Sequence, residues 1–435
     1  MNIQTERSAH KGLAWFVWIL ATIFFAYQFI LRLSPGLIIN EMMSKYGISA
    51  SEYGIFSAMY YLGYAGLQIP IALFLDKYGP RIVGFICIML CSSASILFMY
   101  SDSWLVALIC RFFIGVGSAG GFLTVSKVIS MWFEPKYYGR MVGITFSFGL
   151  IGAVYGGRPV SNFMDIFGWF NVLVYIGVIG CFLSVIFLLC VRSIGSSDKV
   201  ETKIVDKLKA VCTNKKIVLV AIGNLLLVGA LEGFADVWGV PYFVDIYGYV
   251  KSDAATLTSF IFVGMIFGAP LLAILAEKMD ANYRVTAASG FVIAFAFVLI
   301  ILFRQYVSIH RMYILMFLIG FACCYQVLVF TIGSSIVKPE FIGVTVAFLN
   351  FINMLGGSFF HSIIGFTMDH LWSGNMRDGM KIYDATSYNY SLLVIPIAAF
   401  VGACIFLFLG LSLLRKSKYS FRSNGNVLYK HRRFF

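Results

Sequence analysis

The stretch LAWFVWILATIFFAYQFIL, residues 13–31, contains nineteen uncharged and mostly apolar residues in a row. A helix of about 20 such residues crosses the hydrocarbon core of a bilayer. Runs of this kind recur about twelve times in a chain that is 60% hydrophobic and only 12% charged. One soluble core cannot bury so much apolar surface. The sequence therefore predicts an all-α polytopic membrane protein that is surrounded by a lipid bilayer.

The predicted spans form two groups of six. They are 13–38, 53–75, 81–100, 103–127, 138–163, 169–191, 217–244, 254–276, 284–303, 311–334, 341–367 and 391–414. The longest charged connection lies between the sixth span and the seventh. We therefore predict an N-terminal six-helix bundle at 1–191, a cytoplasmic linker at 192–216, a C-terminal six-helix bundle at 217–414 and a basic cytoplasmic tail at 415–435.

Lysine and arginine are unevenly distributed between the two sides that twelve spans define. Only six of the 33 fall in segments opposite the termini, and most of the others fall on the side of the termini. Basic residues accumulate in cytoplasmic loops, so both termini are predicted to be cytoplasmic. The net charge of +13 thus indicates topology rather than nucleic-acid binding. Short loops favour the cell membrane of a bacterium, the inner membrane, with an organelle membrane as the alternative.

The two groups of spans repeat each other in sequence. GITFSF at 143–148 is followed by the glycine pair 156–157, and GVTVAF at 343–348 is followed at the same interval by the glycine pair 356–357. A shared interval of this kind predicts a duplicated six-helix unit.

The loop LFLDKYGPR, residues 73–81, joins the second and third spans on the predicted cytoplasmic side. Gly79 permits a tight reversal of the chain, and Lys77 and Arg81 suit an anionic membrane surface. Asp76 can cap a helix or pair with a base. The loop therefore combines a turn with charges of both signs.

This loop resembles the signature loop of the major facilitator superfamily, Gly-x-x-x-Asp-Arg/Lys-x-Gly-x-Arg/Lys, with Ala72 in place of the first glycine. RFFIGVG at 111–117 is similar to the superfamily's arginine-and-glycine motif. GAVYGG at 152–157 is similar to its Gly-Pro-x-x-Gly-Gly motif, with Ala153 in place of the proline, which weakens the antiporter interpretation. The resemblance covers essentially the whole chain. It implies a secondary transporter with alternating access and a conformational-switch motif formed by Asp76, Lys77, Gly79 and Arg81.

Five ionisable side chains lie within the predicted spans: Arg32, Arg111, Arg158, Glu232 and Asp236. Such a group costs on the order of 3 kcal/mol at the bilayer centre by insertion scales and usually faces a cavity or a partner. The three arginines belong to the first half. The two carboxylates are four residues apart, on one face of the seventh span in the second half. All five can share one cavity in which a positive wall faces a negative wall.

Two hypotheses follow from this polarity. Arginine can hold the carboxylate of a solute while Glu232 or Asp236 holds its ammonium group, which suits an amino acid or a short peptide. Alternatively, arginines and carboxylates pair across the halves as a gate. Glu232 is the candidate for proton coupling, because a carboxyl group in an apolar pocket can take up a proton. Arg158 either sets substrate choice or extends to the membrane surface.

Uncharged polar side chains within the spans are further candidates for solute binding. They are Tyr27, Tyr64, Asn350 and Asn353, considered together with Gln28, Tyr60 and Gln326. Hydrogen bonding between helices is the alternative role for each of them. His361 is alone in its span, where packing and proton relay are the competing roles.

The sequence thus predicts a secondary active or facilitative transporter of an amino acid, short peptide or organic anion, with protons as a candidate coupling ion. The alternatives are a multidrug or metabolite efflux carrier of the same superfamily and a non-transporting membrane receptor. No HExxH or P-loop motif is present, so no enzyme, metal or cofactor is expected. A monomer without a nucleic-acid partner is expected.

Overall fold

Apolar helices account for nearly all of the chain that the structure describes. The computed structural model describes residues 11–191, 204–303, 308–377 and 379–423. Within these residues, ten helical segments are long and apolar enough to cross a membrane. One of them, Ala50–Tyr100, has 51 residues, which is enough for two crossings.

In its described residues, the first half of the chain forms seven α-helices and one 3₁₀ turn, Pro135–Tyr137. The α-helices are α1 (Lys11–Leu37), α2 (Ile39–Tyr46), α3 (Ala50–Tyr100), α4 (Trp104–Trp132), α5 (Tyr138–Gly156), α6 (Arg158–Phe167) and α7 (Trp169–Cys190). Helices α5 and α6 follow each other directly and together form one more crossing. With α3 counted twice and this pair added, the described chain has twelve crossings. The predicted all-α membrane fold with twelve helices is confirmed.

The second half contains interrupted helices, one small hairpin and a 3₁₀ turn, Pro339–Phe341. Apart from this turn, its elements are α8 (Ile204–Thr213), α9 (Lys215–Leu227), a π-helical segment (Gly229–Trp238), α10 (Gly239–Asp245), α11 (Lys251–Lys278), α12 (Asn282–Leu302), α13 (Ile309–Cys323), α14 (Tyr325–Ile336), α15 (Ile342–His370), β1 (Met376–Arg377), β2 (Met380–Lys381), α16 (Ala385–Leu392) and α17 (Val394–Ser423). Strands β1 and β2 are antiparallel, with Met376 opposite Lys381.

Helix α3 reverses direction at Gly79. This residue has φ 78° and ψ 169°, a region that glycine occupies and that strains residues with a side chain. Pro80 follows it at the start of the returning helix, where a missing N–H does no harm. The end of the molecule that carries this turn is hereafter the motif side, and the end that carries β1 and β2 is the hairpin side.

Helices α3 and α15 come from different halves of the chain and approach each other closely near the hairpin side. A Cβ atom at Gly54 would overlap the carbonyl oxygen of His361, and one at Gly365 would overlap the carbonyl oxygen of Ala50. The two helices are therefore in backbone contact at these points, which only glycine permits. Elsewhere the halves meet where α11 packs against α5 and α6.

The predicted linker and tail fall partly outside the described residues. Of the linker 192–216, residues 192–203 lie outside, and the remainder forms α8 and the start of α9. Of the tail 415–435, residues 424–435 lie outside, and the earlier part continues α17. The division into two bundles therefore stays a prediction.

Candidate functional site

A buried ion cluster joins α1 to the π-helical segment. Arg32 donates from Nη2 to Glu232 Oε2, and its Nε lies 2.5 Å from Asp236 Oδ2. The Tyr61 hydroxyl, on α3, also donates to Asp236 Oδ2. All four side chains are buried. One arginine from the first half is thus held between two carboxylates from the second.

The local helix geometry places the two carboxylates. Gly229–Trp238 forms a π-helix, a rare conformation that is found preferentially at functional sites. Because Glu232 and Asp236 are four residues apart, they lie on the same side of this segment, and both reach Arg32. The four-residue spacing of Glu232 and Asp236 therefore lets both carboxylates bind the one guanidinium of Arg32.

Arg111, on α4, supports α1 from behind the cluster. Its Nη1 donates to the carbonyl of Leu31 at 2.8 Å, and its Nη2 donates to the carbonyl of Arg32 at 3.1 Å. Pro35 has no N–H to offer the Leu31 carbonyl four residues earlier, so this acceptor is free for a side chain. The guanidinium also lies 4.7 Å from the centre of the Tyr60 ring. Arg111 therefore fixes the backbone that carries Arg32.

A cavity of about 760 Å³ extends from the ion cluster towards the motif side. It begins at Arg32 and Glu232 and reaches Asp76, on α3, and Leu208, on α8. Among the described residues that line it, Arg32 is the only one with a basic side chain. The volume is in the range of cavities that hold small-molecule ligands.

Five carboxamide side chains border the same cavity: Gln28, Gln68, Gln326, Asn350 and Asn353. Asn350 donates to Gln68 at 3.0 Å, which joins the two halves, and Gln326 donates to Asn353 at 3.3 Å. Gln28 accepts from the Tyr60 hydroxyl at 2.8 Å. These groups can both donate and accept hydrogen bonds, so they suit a polar solute as well as each other.

The structure brings most of the predicted site residues together. Arg32, Glu232, Tyr64, Asn350 and Asn353 line the cavity. Arg111 and Asp236 are not among the lining residues but contact Arg32 directly, through its carbonyl and its guanidinium respectively. The sequence analysis did not identify Gln68 or Tyr61 as site residues. Both lie on α3, and neither a charge nor a motif distinguishes them.

Two predicted residues lie away from the cluster. Tyr27 bonds to the hydroxyl of Ser92 and the carbonyl of Ile176, each at 3.1 Å, and so joins α1 to α3 and α7. The Arg158 side chain is 51% exposed at the start of α6, with its Nη1 3.8 Å from Asp253. The structure therefore does not bring all five intramembrane charges into one cavity. The helix is interrupted at Gly157, and the Arg158 side chain that follows points outward.

Polar contacts close the hairpin side, and the sequence analysis did not find them. Asp369, near the end of α15, accepts from the Ser51 N–H at 2.8 Å and from the Tyr383 hydroxyl at 2.6 Å. The Ala50 N–H donates to the same Tyr383 oxygen at 2.9 Å. These acceptors satisfy free N–H groups in the first turn of α3. Asp369 and Tyr383 lie more than 300 residues from Ser51 and Ala50, so no local signal indicates these contacts.

An ion pair between the two halves lies on the same side. Lys251, at the start of α11, lies 2.6 Å from Glu41 on α2. Both side chains are partly buried. The contact joins a short helix of the first half to the second half, beyond the end of the predicted first span.

His361, on α15, is completely buried beside the cluster. Its ring centre lies 5.3 Å from that of Tyr61, and neither ring nitrogen has a hydrogen-bond partner among the described residues. Its backbone carbonyl faces Gly54. The side chain therefore packs on the tyrosine that donates to Asp236.

The predicted conformational-switch motif anchors α3 to its neighbours. Asp76 Oδ1 lies 2.8 Å from Lys127 Nζ on α4, and Arg81 donates to the carbonyl of Leu188 on α7 at 2.8 Å. Lys77 is exposed and lies 5.0 Å from the Tyr78 ring centre. Asp76 therefore belongs both to the motif and to the far end of the cavity.

Among the described residues, no cluster of three His, Cys, Asp or Glu could hold a metal ion.

A family model described as Major Facilitator Superfamily matches residues 17–361. The hexuronate transporter of Bacillus subtilis is 24% identical over 283 residues, which are 63% of this chain and 64% of that protein. The probable sulfoacetate transporter SauU of Cupriavidus necator is 26% identical over 133 residues, which are 31% of each chain. The chain thus spans less than two thirds of the length of these curated relatives.

Two solved structures share the fold over nearly their whole length. A bacterial homologue of the human lysosomal transporter Spinster, in an inward-facing and unoccupied conformation, has a TM-score of 0.75 and 17% identity, covering 93% of this chain and 98% of that one. A mutant of the nucleoside transporter NupG has a TM-score of 0.74 and 13% identity, covering 90% of this chain and 99% of that one.

Proposed function

Because the chain belongs to the Major Facilitator Superfamily, we propose that it is a secondary transporter for a small solute with a carboxylate group, and that Arg32 binds this group. One observation supports the assignment most directly. Arg32 is the only basic side chain among the described residues that line the cavity. Its planar guanidinium suits bidentate binding of a carboxylate.

The charge balance of the cluster divides such solutes into two classes. Arg32 and Arg111 balance Glu232 and Asp236 when all four are ionised. A zwitterion preserves this balance, with its carboxylate on Arg32 and its ammonium group on Glu232. An organic anion adds a negative charge in a buried site, which is costly unless a proton neutralises one carboxylate.

Glu232 is the proposed proton carrier for the second class. It lines the cavity, whereas Asp236 lies behind Arg32 and also accepts from Tyr61. A proton on Glu232 would weaken its contact with Arg32 and leave the guanidinium free for the solute. Hexuronate and sulfoacetate, named for two relatives, are organic anions and favour this class. The opposite charges of Arg32 and Glu232, which lie together at one end of the cavity, instead favour the zwitterion.

Alternating access follows if solute binding competes with the contact between the halves. A carboxylate on Arg32 displaces Glu232 and so loosens one link between α1 and the π-helical segment. The two six-helix bundles can then move against each other and open the hairpin side. With both termini in the cytoplasm of a bacterial cell, as the charge distribution predicts, the cavity opens to the cytoplasm and the hairpin side faces outward.

Uptake by the purified protein in liposomes tests this proposal. The solutes are labelled amino acids, dipeptides, hexuronate and sulfoacetate, each with and without an inward proton gradient. We expect saturable uptake of one class, at least about 100-fold weaker in Arg32→Gln because a buried charge pair is broken. Arg140→Gln, an exposed arginine on α5, is the matched control and should transport normally.

The outcomes separate the classes. Uptake of an anion that depends on the proton gradient, and loses this dependence in Glu232→Gln, supports proton coupling. Uptake of an amino acid or dipeptide that does not depend on the proton gradient supports the zwitterion class. Transport of a lipophilic dye that is unchanged in Arg32→Gln would contradict the proposal and favour an efflux carrier.

A further inference from the structure

Four phenylalanines form a continuous aromatic wall in the cavity. They are Phe25 and Phe29 on α1, Phe122 on α4 and Phe146 on α5, hereafter the phenylalanine subsite. The Phe25 ring centre lies 5.3 Å from Phe29, 5.6 Å from Phe122 and 5.8 Å from Phe146. Phe122 and Phe146 lie 5.4 Å apart. Tilted and edge-to-face pairs at these distances form a stable cluster.

The subsite begins directly beside Arg32. The Arg32 Cζ atom lies 5.6 Å from the centre of the Phe29 ring. Phe29 contacts Phe25, which contacts the other two rings. A single small molecule can therefore meet Arg32 with a carboxylate and the phenylalanine subsite with the neighbouring part of its structure.

Part of the subsite is uncovered. Phe25 and Phe29 are buried, but Phe122 is only partly buried and Phe146 is 44% exposed. Rings at the border of a cavity lack contact partners on one side, so an apolar group placed there gains dispersion contacts and loses exposure to water. Phe262 and Phe330, from the second half of the chain, also line the cavity and extend its apolar character.

We infer that the transported solute carries an aromatic or bulky aliphatic group beside its carboxylate, and that the phenylalanine subsite selects for this group. The inference rests on the proposed function, since it takes Arg32 as the carboxylate site. Aromatic and branched amino acids, short peptides that contain them, and arylalkanoates fit both parts. Polyhydroxylated acids fit poorly, because hydroxyls pressed against phenyl rings lose their hydrogen bonds.

Equilibrium binding to the full-length protein in lipid nanodiscs tests this selectivity. The probes are two labelled pairs, phenylalanine with serine and 3-phenylpropionate with lactate, so that each solute class has an apolar and a polar member. The apolar member of at least one pair should bind about tenfold more tightly or better, as expected for burying a phenyl group. Binding should be lost in Arg32→Gln.

The double variant Phe122→Ala with Phe146→Ala should remove most of this preference while Arg32-dependent binding of the polar member stays. Phe148→Ala is the matched control, since Phe148 is also on α5 and 47% exposed but is not among the cavity-lining residues. It should bind like the unmodified protein.

The outcomes distinguish the two proposals. Three results would overturn the phenylalanine subsite and leave the proposed function standing. They are Arg32-dependent binding with equal affinity within each pair, a preference that survives in the double variant, and Arg32-dependent uptake of hexuronate or sulfoacetate without binding of either apolar probe. Absence of any Arg32-dependent binding or uptake across these probes and the liposome panel would overturn both.

Discussion

The hairpin side and the motif side of this molecule are built differently, although both lie between the same two halves of the chain. On the hairpin side, α3 and α15 touch through glycines, and Asp369, Tyr383 and Lys251 add polar links. Towards the motif side, the halves separate around a cavity that Asn350 and Gln68 bridge with one hydrogen bond. The ion cluster lies at the boundary between the closed region and the open one. If the protein works by alternating access, as proposed, the contacts on the hairpin side are those that must break for the cavity to open to the other side.

Removing one carboxylate of the cluster should disturb this arrangement most. Asp236→Asn removes the negative charge that pairs with Arg32 and weakens the hydrogen bond that the Tyr61 hydroxyl donates to residue 236. Breaking a buried ion pair costs about 3–5 kcal/mol. We expect amide hydrogen exchange in the first turn of α3 to become about 100-fold faster, because the hairpin side opens more often. Glu277→Gln, at an exposed position on α11, is the control. Unchanged exchange in Asp236→Asn would show that the cluster does not hold the hairpin side closed.

A methyl group between the helices should have the next largest effect. In Gly365→Ala the new Cβ overlaps the Ala50 carbonyl, and forced overpacking costs about 2 kcal/mol. Exchange in the same turn of α3 should rise by more than about tenfold. Gly143→Ala has no neighbouring atom within 4 Å and should leave exchange unaltered. An equal response of the two variants would contradict the backbone contact described above.

Loss of the Asp369 charge should have a smaller effect on the same side. Asp369→Asn keeps the size of the side chain but weakens its bonds to Ser51 and Tyr383, and a hydrogen bond to a charged group contributes about 1.5 kcal/mol. Exchange near Ser51 should therefore accelerate about tenfold. Asp102→Asn, whose side chain is 98% exposed, serves as the comparison. Slower exchange in the Asp369 variant would speak against a closing role.

On the motif side, Asn350→Ala should have a weak and local effect. It removes the hydrogen bond to Gln68, which contributes about 1 kcal/mol or less at a partly buried position. Exchange should change by less than about fivefold near Gln68, with no change at the start of α3. Faster exchange both near Gln68 and at the start of α3 would mean that the motif side and the hairpin side are not independent.

Arg158→Gln should have the smallest effect. An exposed ion pair such as the one with Asp253 contributes less than about 1 kcal/mol. Uptake and solute preference should match those of the unmodified protein. A changed solute preference would return Arg158 to the residues that set substrate choice.

The fold could be predicted largely from the sequence because lipid imposes a simple rule. Each span needs about 20 apolar residues, and such runs are visible without tertiary information. The twelve crossings and the family resemblance are confirmed by the structure and by the matched family model. The interruption at Gly157 and the π-helical segment were not predicted, since hydropathy does not register a local change in helix geometry.

The candidate site could be predicted only in part. Arg32, Glu232 and Asp236 are conspicuous because charges within a membrane are costly, and the structure places them together. Their roles in binding or gating stay predictions. Asp369 and Tyr383 could not be found in this way. Their partners are backbone N–H groups at the start of α3, and the sequence gives no sign of which helix ends meet in space.

The glycine contacts between α3 and α15 also bear on how fast the molecule can change state. Side chains that interlock must leave their rotamers before two helices part, which adds an activation barrier of its own. Gly54 and Gly365 present bare backbone to the opposite helix, so the surfaces there can separate without any side-chain rearrangement. If the hairpin side opens as proposed, its polar links, rather than these two glycine contacts, are expected to limit the rate, and changing a single charged residue there should alter it.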